Sequence, residues 1–462
     1  MRRPDGHNPE GRYHDDRPAG AALTGARDSA NNPANNPTNN PAQRHHDDGQ
    51  RERGRIDGRD AAGAVVRRGT IRLPPDVATR VRLGHPWIYR ETLGARPLRE
   101  RTGGILELVD SVGNFVGRGL FDEEGSIAIR VFSRDHAEAI AADLVARRIR
   151  EAAAIRRRFL APNINAHRVV NAENDGLPGI VVDRYADYLV VQLFTPSVLR
   201  LRESLLDALW AEYSPKAIYE QHRFKPVSPD APRGPAELAR GAVAPVELEV
   251  SEGALRFWVD VTAPVSTGLF FDLRGGRETI GKLAAGRRAL NLFSYTGAIS
   301  VYAQHGGASQ VVAVDAMAKA HARARRNFAL NSLGTDSAEF LVGDVFKIVD
   351  RFRQRGRRFD LVVLDPPAFG TSGRGRAFAA GQDYRELVEA VFGVLEPGGL
   401  LVAISTTHKI SAEEFDRALA DGAARAHGEL RIIERGFLPP DYCVAPGFPE
   451  GNYLKFAVAV RS

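Results

Sequence analysis

The chain has 462 residues, 43% hydrophobic and 26% charged, with a net charge of +6 and a single cysteine, Cys443. That length exceeds one ordinary core, so two or three domains are expected; no apolar run approaches the roughly 18 to 20 residues that cross a bilayer. One cysteine excludes an internal disulfide framework and a cysteine-rich zinc site, and no metal site is expected.

The start of the chain has no apolar segment of the secretory kind, and its acidic residues speak against a transit peptide. A cytoplasmic protein without membrane partners is the expectation. The pI near 9.5 comes from arginine, which favours nucleic acid only where the charge is clustered.

Residues 1–68 carry few large apolar groups and include the Asn-Pro run Asn31 to Pro41. Such a segment cannot bury enough surface to offset its conformational entropy, and a disordered tail is expected. Residues 69–135 change to short strand-like stretches, Ile105 to Val109, Phe115 to Leu120 and Ile127 to Phe132, split by turns at glycine. The cluster Gly84-His85-Pro86-Trp87-Ile88-Tyr89 precedes them, with Trp87 and Tyr89 read as core or staple residues.

Residues 136–258 form a middle unit. Ser133 can cap a helix running to about Phe159, with Ile140, Leu144, Ile149 and Ile155 facing inward. Its outer face would carry Arg147, Arg148, Arg150 and Arg156 to Arg158, a solvated basic face or a contact for RNA phosphates. Strands near Val169, Ile180 and Tyr188, a helix from Ser197 to Tyr213 and strands near Ala217 and Leu248 follow. Residues 226–246, rich in Pro, Ala and Gly, read as an exposed loop.

From Val259 onward strand and helix alternate, with strands at Ala289, Gln310, Ala338, Asp360 and Leu400. This is the pattern of a doubly wound α/β domain over residues 259–462. The first strand runs from Asn291 into the turn Phe293-Ser294-Tyr295-Thr296-Gly297, where glycine lets backbone approach a ligand and a helix N-terminus offers free N–H groups. The spacing is not that of a dinucleotide-binding turn, and a nucleoside without pyrophosphate suits it. Asp315, Asp344 and Asp365 each follow a strand at its carboxyl end. There the first suits ribose hydroxyls, the second an adenine amine, and the third the reacting group. Asp365-Pro366-Pro367-Ala368-Phe369 combines an acid, a stiff turn lacking two backbone donors, and an aromatic.

The last 200 residues resemble class I S-adenosylmethionine-dependent methyltransferases. Residues 70–462 resemble the bacterial large-subunit ribosomal RNA methyltransferases that join a PUA RNA-binding domain to that Rossmann-like fold. The resemblance rests on His85-Pro86-Trp87, Asn171 to Tyr185, Thr267-Gly268 through Arg274, the Phe293 to Gly297 turn, Asp365-Pro366-Pro367, and Pro449-Glu450-Gly451 with Tyr453-Leu454-Lys455. It implies S-adenosylmethionine as cofactor, RNA as partner and a PUA-like domain over the first folded stretch, and a homodimer is compatible with it. It also implies that Phe270, Asp272 and Arg274 line the methionine side of the cofactor, with Leu273 where glutamine is frequent.

One departure bears on mechanism. The better-known branch methylates cytosine at C5, a poor nucleophile that must first be activated by a cysteine thiolate added at C6. The thiolate stands in a Ser-Cys-Ser run after the fifth strand; here that run is Ser405-Thr406-Thr407, followed by His408 and Lys409. A base nitrogen has its own lone pair and needs only alignment and help in losing a proton. Nitrogen is therefore the expected target, with Asp365, Pro366, Pro367 and Phe369 at the reacting base. Arg374, Arg376, Thr406, His408 and Lys409 are the candidate RNA contacts. A C5 enzyme using another device, a non-catalytic RNA-binding protein and a small-molecule or protein methylase remain as alternatives.

Overall fold

The computed structural model describes residues 56–59, 65–67, 69–94, 100–224, 234–367 and 380–462, with backbone alone at 56–59, 65–67 and 380–382. Ile56–Arg59 and Val65–Arg67 pair as antiparallel strands. Both strands lie within residues 1–68, the stretch expected to be a disordered tail, at its locally apolar positions Ile56, Val65 and Val66.

The first folded layer is a five-stranded sheet. Its spatial order is Thr70–Arg72, Ile105–Val109, Phe115–Phe121, Ile127–Ser133 and Trp87–Tyr89. Val77, Ala78 and Val81 of the helix Pro75–Arg82 pack onto it with Leu106, Leu108 and Ile129.

The middle unit is a second five-stranded sheet, ordered Glu237–Gly241, Ala217–His222, Tyr188–Leu193, Ile180–Tyr185, Ala166–Asn171. Both of its faces are covered, which follows from the two-residue alternation of a strand. Leu189, Val191 and Leu193 pack under the helices Ala142–Phe159 and Arg202–Tyr213, while Tyr188 and Val190 point to Phe257, Tyr302 and Phe328 on the other side.

Four sequence expectations fail here. The helix begins at Ala142, because Ser133 ends a strand and its hydroxyl donates to Glu138. Arg156 is not on a solvated face: it is 2% exposed and holds both oxygens of Asp175, at 2.7 and 2.8 Å. Arg148 also turns inward, to the carbonyls of Gly176 and Phe132, and Ile155 is exposed. Within the segment expected to be a loop, Glu237–Gly241 is an edge strand on Ala217–His222; residues 225–233 lie outside the described residues.

A hairpin, Leu248–Glu252 with Leu255–Val259, leads into the last domain. There β1 (Arg288–Leu292), β2 (Gln310–Asp315), β3 (Ala338–Val342), β4 (Phe359–Leu364), β5 (Leu395–Ser405), β6 (Leu430–Arg435) and β7 (Lys455–Arg461) form one sheet in the order 3-2-1-4-5-7-6. β1 to β5 are parallel, and β7 pairs antiparallel with both β5 and β6. Helices α1 (Arg274–Leu283), α2 (Ala298–His305) and α3 (Ala318–Leu330) cover one face, and α4 (Val345–Gln354), α5 (Ala380–Phe392) and α6 (Ala412–Arg425) the other. Chain order reverses between β1 and β4, so a crevice opens at the carboxyl ends of these strands, where such sheets bind ligands.

No helix among the described residues is long and apolar enough to cross a membrane.

Candidate active site

The crevice is built from the carboxyl ends of β1, β2, β3 and β4. At β1 the chain makes a tight turn in which Phe293, Tyr295 and Gly297 take φ of +62°, +47° and +77°. Non-glycine residues rarely occupy that region, and strain of this kind gathers where a ligand is held. The turn is pinned from all sides. Ser294 N–H donates to the Val314 carbonyl at 2.9 Å, and its hydroxyl meets His321 Nε2 at 3.1 Å. The Thr296 hydroxyl donates to the Gly268 carbonyl, and Asn327 Nδ2 donates to the Thr296 carbonyl.

Gly297 also has a packing role that the sequence does not show. A Cβ there would lie 2.7 Å from the Ala324 Cβ, so its missing side chain lets α2 start against α3.

Asp315 accepts the Tyr295 and Met317 N–H groups, one on each oxygen, at 2.8 Å. Each oxygen keeps a further lone pair for a hydroxyl donor. Asp344 caps α4 by accepting the Lys347 N–H at 3.0 Å. Met317 and Val342 are more than half exposed beside them, two apolar groups flanking the same strand ends; the sequence reading did not select them. Asn291 is buried and gives its Nδ2 to Ser300, while its Oδ1 has no partner among the described residues.

Opposite stand two carboxyl groups. Asp365 directly follows β4, with Pro366 buried behind it and Pro367 exposed. Burial first, and the Asp272 carboxylate second, push Asp365 up to about 7, against a weaker pull from Arg277. Burial also raises Asp272, whose Oδ2 accepts the Tyr453 hydroxyl at 2.8 Å. Two desolvated acids side by side favour a cationic guest. Phe270 is exposed and tilts toward Tyr295, with ring centroids 5.7 Å apart.

Arg274 does not belong to this pocket. It is buried against Asp441 at 2.7 Å and the Ala166 carbonyl, tying α1 to the middle sheet, which corrects its expected place beside the cofactor. Beyond β5, Ser405 and Thr407 are buried, Thr406 is half-buried, and His408 and Lys409 are exposed. The His408 ring meets Tyr453 edge-on at 5.3 Å. Phe369, Arg374 and Arg376 lie outside the described residues. Cys443 is half-buried, its thiol donating to Asp175 at 3.2 Å and pushed up to about 12, first by burial and then by Asp175.

A family model described as S-adenosylmethionine-dependent methyltransferase matches residues 190–450. The chain belongs to this family. It is thus an S-adenosylmethionine-dependent methyltransferase, and residues 71–134 match a PUA-like domain. Ribosomal RNA large subunit methyltransferase I of Shewanella frigidimarina is 32% identical over 394 residues, covering 84% of this chain and 98% of that protein. The protein of the same name from Tolumonas auensis is 34% identical over 391 residues, with the same coverage. The solved structure of SMU.776 complexed with SAH superimposes with a TM-score of 0.77 at 22% identity, covering 85% of this chain and 99% of that one, a likeness of fold.

The crevice of this methyltransferase fits its cofactor. Asp315 can take ribose hydroxyls, Met317 and Val342 can enclose a flat base, and the Asp272–Asp365 pair can oppose a cationic end.

Proposed function

We propose that this chain methylates a base nitrogen of large-subunit ribosomal RNA. The names of its relatives and the PUA-like domain support the RNA. The choice of nitrogen rests on one observation: Thr406 stands where the C5 branch carries its thiolate, and the chain's only thiol, Cys443, is bonded to Asp175 and held protonated at neutral pH. A thiol near 12 is a poor nucleophile, since the thiolate is the attacking form.

In this reading Asp315, Asp344, Met317 and Val342 hold the nucleoside of S-adenosylmethionine, with Phe270, Asn291 and the Phe293 to Gly297 turn closing the pocket. The bound cofactor supplies an electrophilic methyl group. Asp365 and the Pro366 carbonyl accept the hydrogens of an exocyclic amine and aim its lone pair, and the Asp365 carboxylate takes the proton that the nitrogen sheds. A carboxyl near 7 is matched to that task, being available as a base at neutral pH without being too weak. Phe369 is assigned to stacking on the base, and Arg374, Arg376, Thr406, His408 and Lys409 to the RNA around it. Assembly as a homodimer is supported by β6, an outer strand with Ile432 and Ile433 exposed; sedimentation of the full chain as a single-chain mass would remove it.

Nucleoside mass spectrometry of ribosomal RNA from cells with and without the gene tests the reaction. Loss of one N-methylated guanosine or adenosine is expected. Loss of 5-methylcytidine would overturn the choice of nitrogen, and unchanged ribosomal RNA would overturn the substrate. Cys443→Ser is expected to keep the modification at wild-type level.

A further inference from the structure

We propose that the amino edge of the catalytic sheet, the edge away from Asp365, is a second contact for RNA, at which Arg353, Arg358 and Arg461 bind backbone phosphates. The proposal rests on the RNA reading above and adds a surface that reading does not use.

A cavity of about 400 Å³ lies between α4, the ends of α5 and α6, and the last residues of β7. Its polar lining is Arg353, Arg358, Arg425 and Arg461 against Asp350 and Glu389, an excess of cations. Arg353 bonds Asp350 at 2.7 Å and Arg425 lies 3.6 Å from Glu389, with every partner roughly half exposed. Pairs of that kind contribute about 0–1 kcal/mol and exchange readily for a stronger anion.

Among the described residues Arg358 and Arg461 are in no ion pair, and only the Glu396 carboxylate lends Arg461 some support. Arg461 spends one nitrogen on the carbonyls of Phe392 and Leu395, where α5 ends. Partial burial and the positive charge of Arg358 weigh against its own charge, with Glu396 opposing them, so two half-buried cations face one cavity. A phosphate placed there relieves the repulsion and accepts the forked N–H donors that guanidinium offers.

The bland account is that arginines at the end of a helix answer its dipole. It covers Arg351 and Arg353 in the last turn of α4. It does not cover Arg358, which precedes β4, or Arg461, which closes β7 on the far side of the cavity.

A polymer suits the surface better than a free anion. Arg351 and Arg355 continue the row, exposed, outside the cavity. Arg358 and Asp365 flank the six residues of β4, a separation of about 23 Å for seven steps at about 3.3 Å each. A folded RNA presenting one base at Asp365 has phosphates at that range, and a large RNA substrate can reach both edges of the sheet.

The test uses the full chain, with large-subunit ribosomal RNA isolated from cells lacking the gene. Affinity is measured over about 50–200 mM KCl, where each phosphate contact contributes about 0.7–0.9 to the slope of log K against log salt. The double variant Arg353→Glu/Arg358→Glu is expected to bind at least tenfold more weakly at the low-salt end. Its slope should be shallower by about 1.5, the loss of two contacts. S-adenosylmethionine affinity should be unchanged, and Arg353→Lys/Arg358→Lys should keep the wild-type slope. A glutamate variant with wild-type affinity and slope overturns the proposal. So does a lysine variant that loses the slope as fully as the glutamate one, because charge is then not what the RNA meets. A wild-type chain that fails to bind the RNA at all sinks the ribosomal RNA reading itself, a distinguishable result.

Discussion

In the proposed reaction Asp365 is the one carboxyl group that takes the proton, and its environment makes two opposite demands visible. Above about pH 7 it is ionised and can accept a proton; below that it is neutral and cannot. Methyl transfer is expected to rise with pH through about 7, and Asp365→Asn to lower kcat by at least a hundredfold and remove that rise, read by single-turnover methylation. The same shift carries a stability cost. The folded carboxyl titrates above its ordinary value of 3.8, so its contribution is most favourable at acid pH and is lost as pH rises from about 4 through about 7. Asp365→Asn should therefore stabilise the fold at pH 8 by about 2 kcal/mol, roughly half the amount full enclosure would imply. The gain should vanish near pH 4 in denaturant melts; a variant less stable than wild type at pH 8 contradicts the buried-acid picture. Asp365→Ala should likewise abolish transfer while weakening cofactor binding only modestly.

The turn after β1 shows what an element can hide from its sequence. Phe293 to Gly297 is legible as a strand end running into a helix, and the three acids at strand ends follow from the alternation of strand and helix. The reason for Gly297 is not legible, because the neighbour it accommodates, Ala324, comes from another helix. Gly297→Ala is expected to cost about 2–4 kcal/mol, from a positive φ and a 2.7 Å contact together. Adding Ala324→Gly should recover part of it in thermal melts, whereas no recovery would mean that the φ alone sets the cost. Arg156 is a different kind of miss. It continues the buried row Val145, Ile149, Ala152, so helical spacing pointed inward, but three consecutive arginines read as surface. Its partner Asp175 lies on the turn after the next strand, beyond any local pattern. Tyr453 escaped for the same reason, since its bond to Asp272 joins residues 181 positions apart.

At the scale of the molecule, the PUA-like domain is fastened to the middle unit and to the end of the catalytic domain. His85 Nε2 lies 3.1 Å from Glu450, Trp87 donates to Glu173 at 2.9 Å, and the Trp87 ring meets Phe448 edge-on with centroids 4.6 Å apart. Gly84 and Gly447 meet backbone to backbone, and a Cβ on Gly447 would lie 2.3 Å from the Leu83 carbonyl oxygen. Trp87 is thus the staple the sequence suggested. Gly447→Ala is expected to split one calorimetric transition into two as this domain melts separately, with lower RNA affinity and unchanged cofactor affinity; a single unshifted transition would show that the contact does not couple them. The sheet adds a matter of timing. β7 is the last strand in the sequence yet lies between β5 and β6, and the residues that fasten the first domain come just before it. A ribosome that has released everything up to Asn452 has therefore made a chain whose sheet still lacks an inner strand. Completion of the sheet waits on Lys455–Arg461, and a chain lacking that strand is expected to be synthesised without ever folding its catalytic domain.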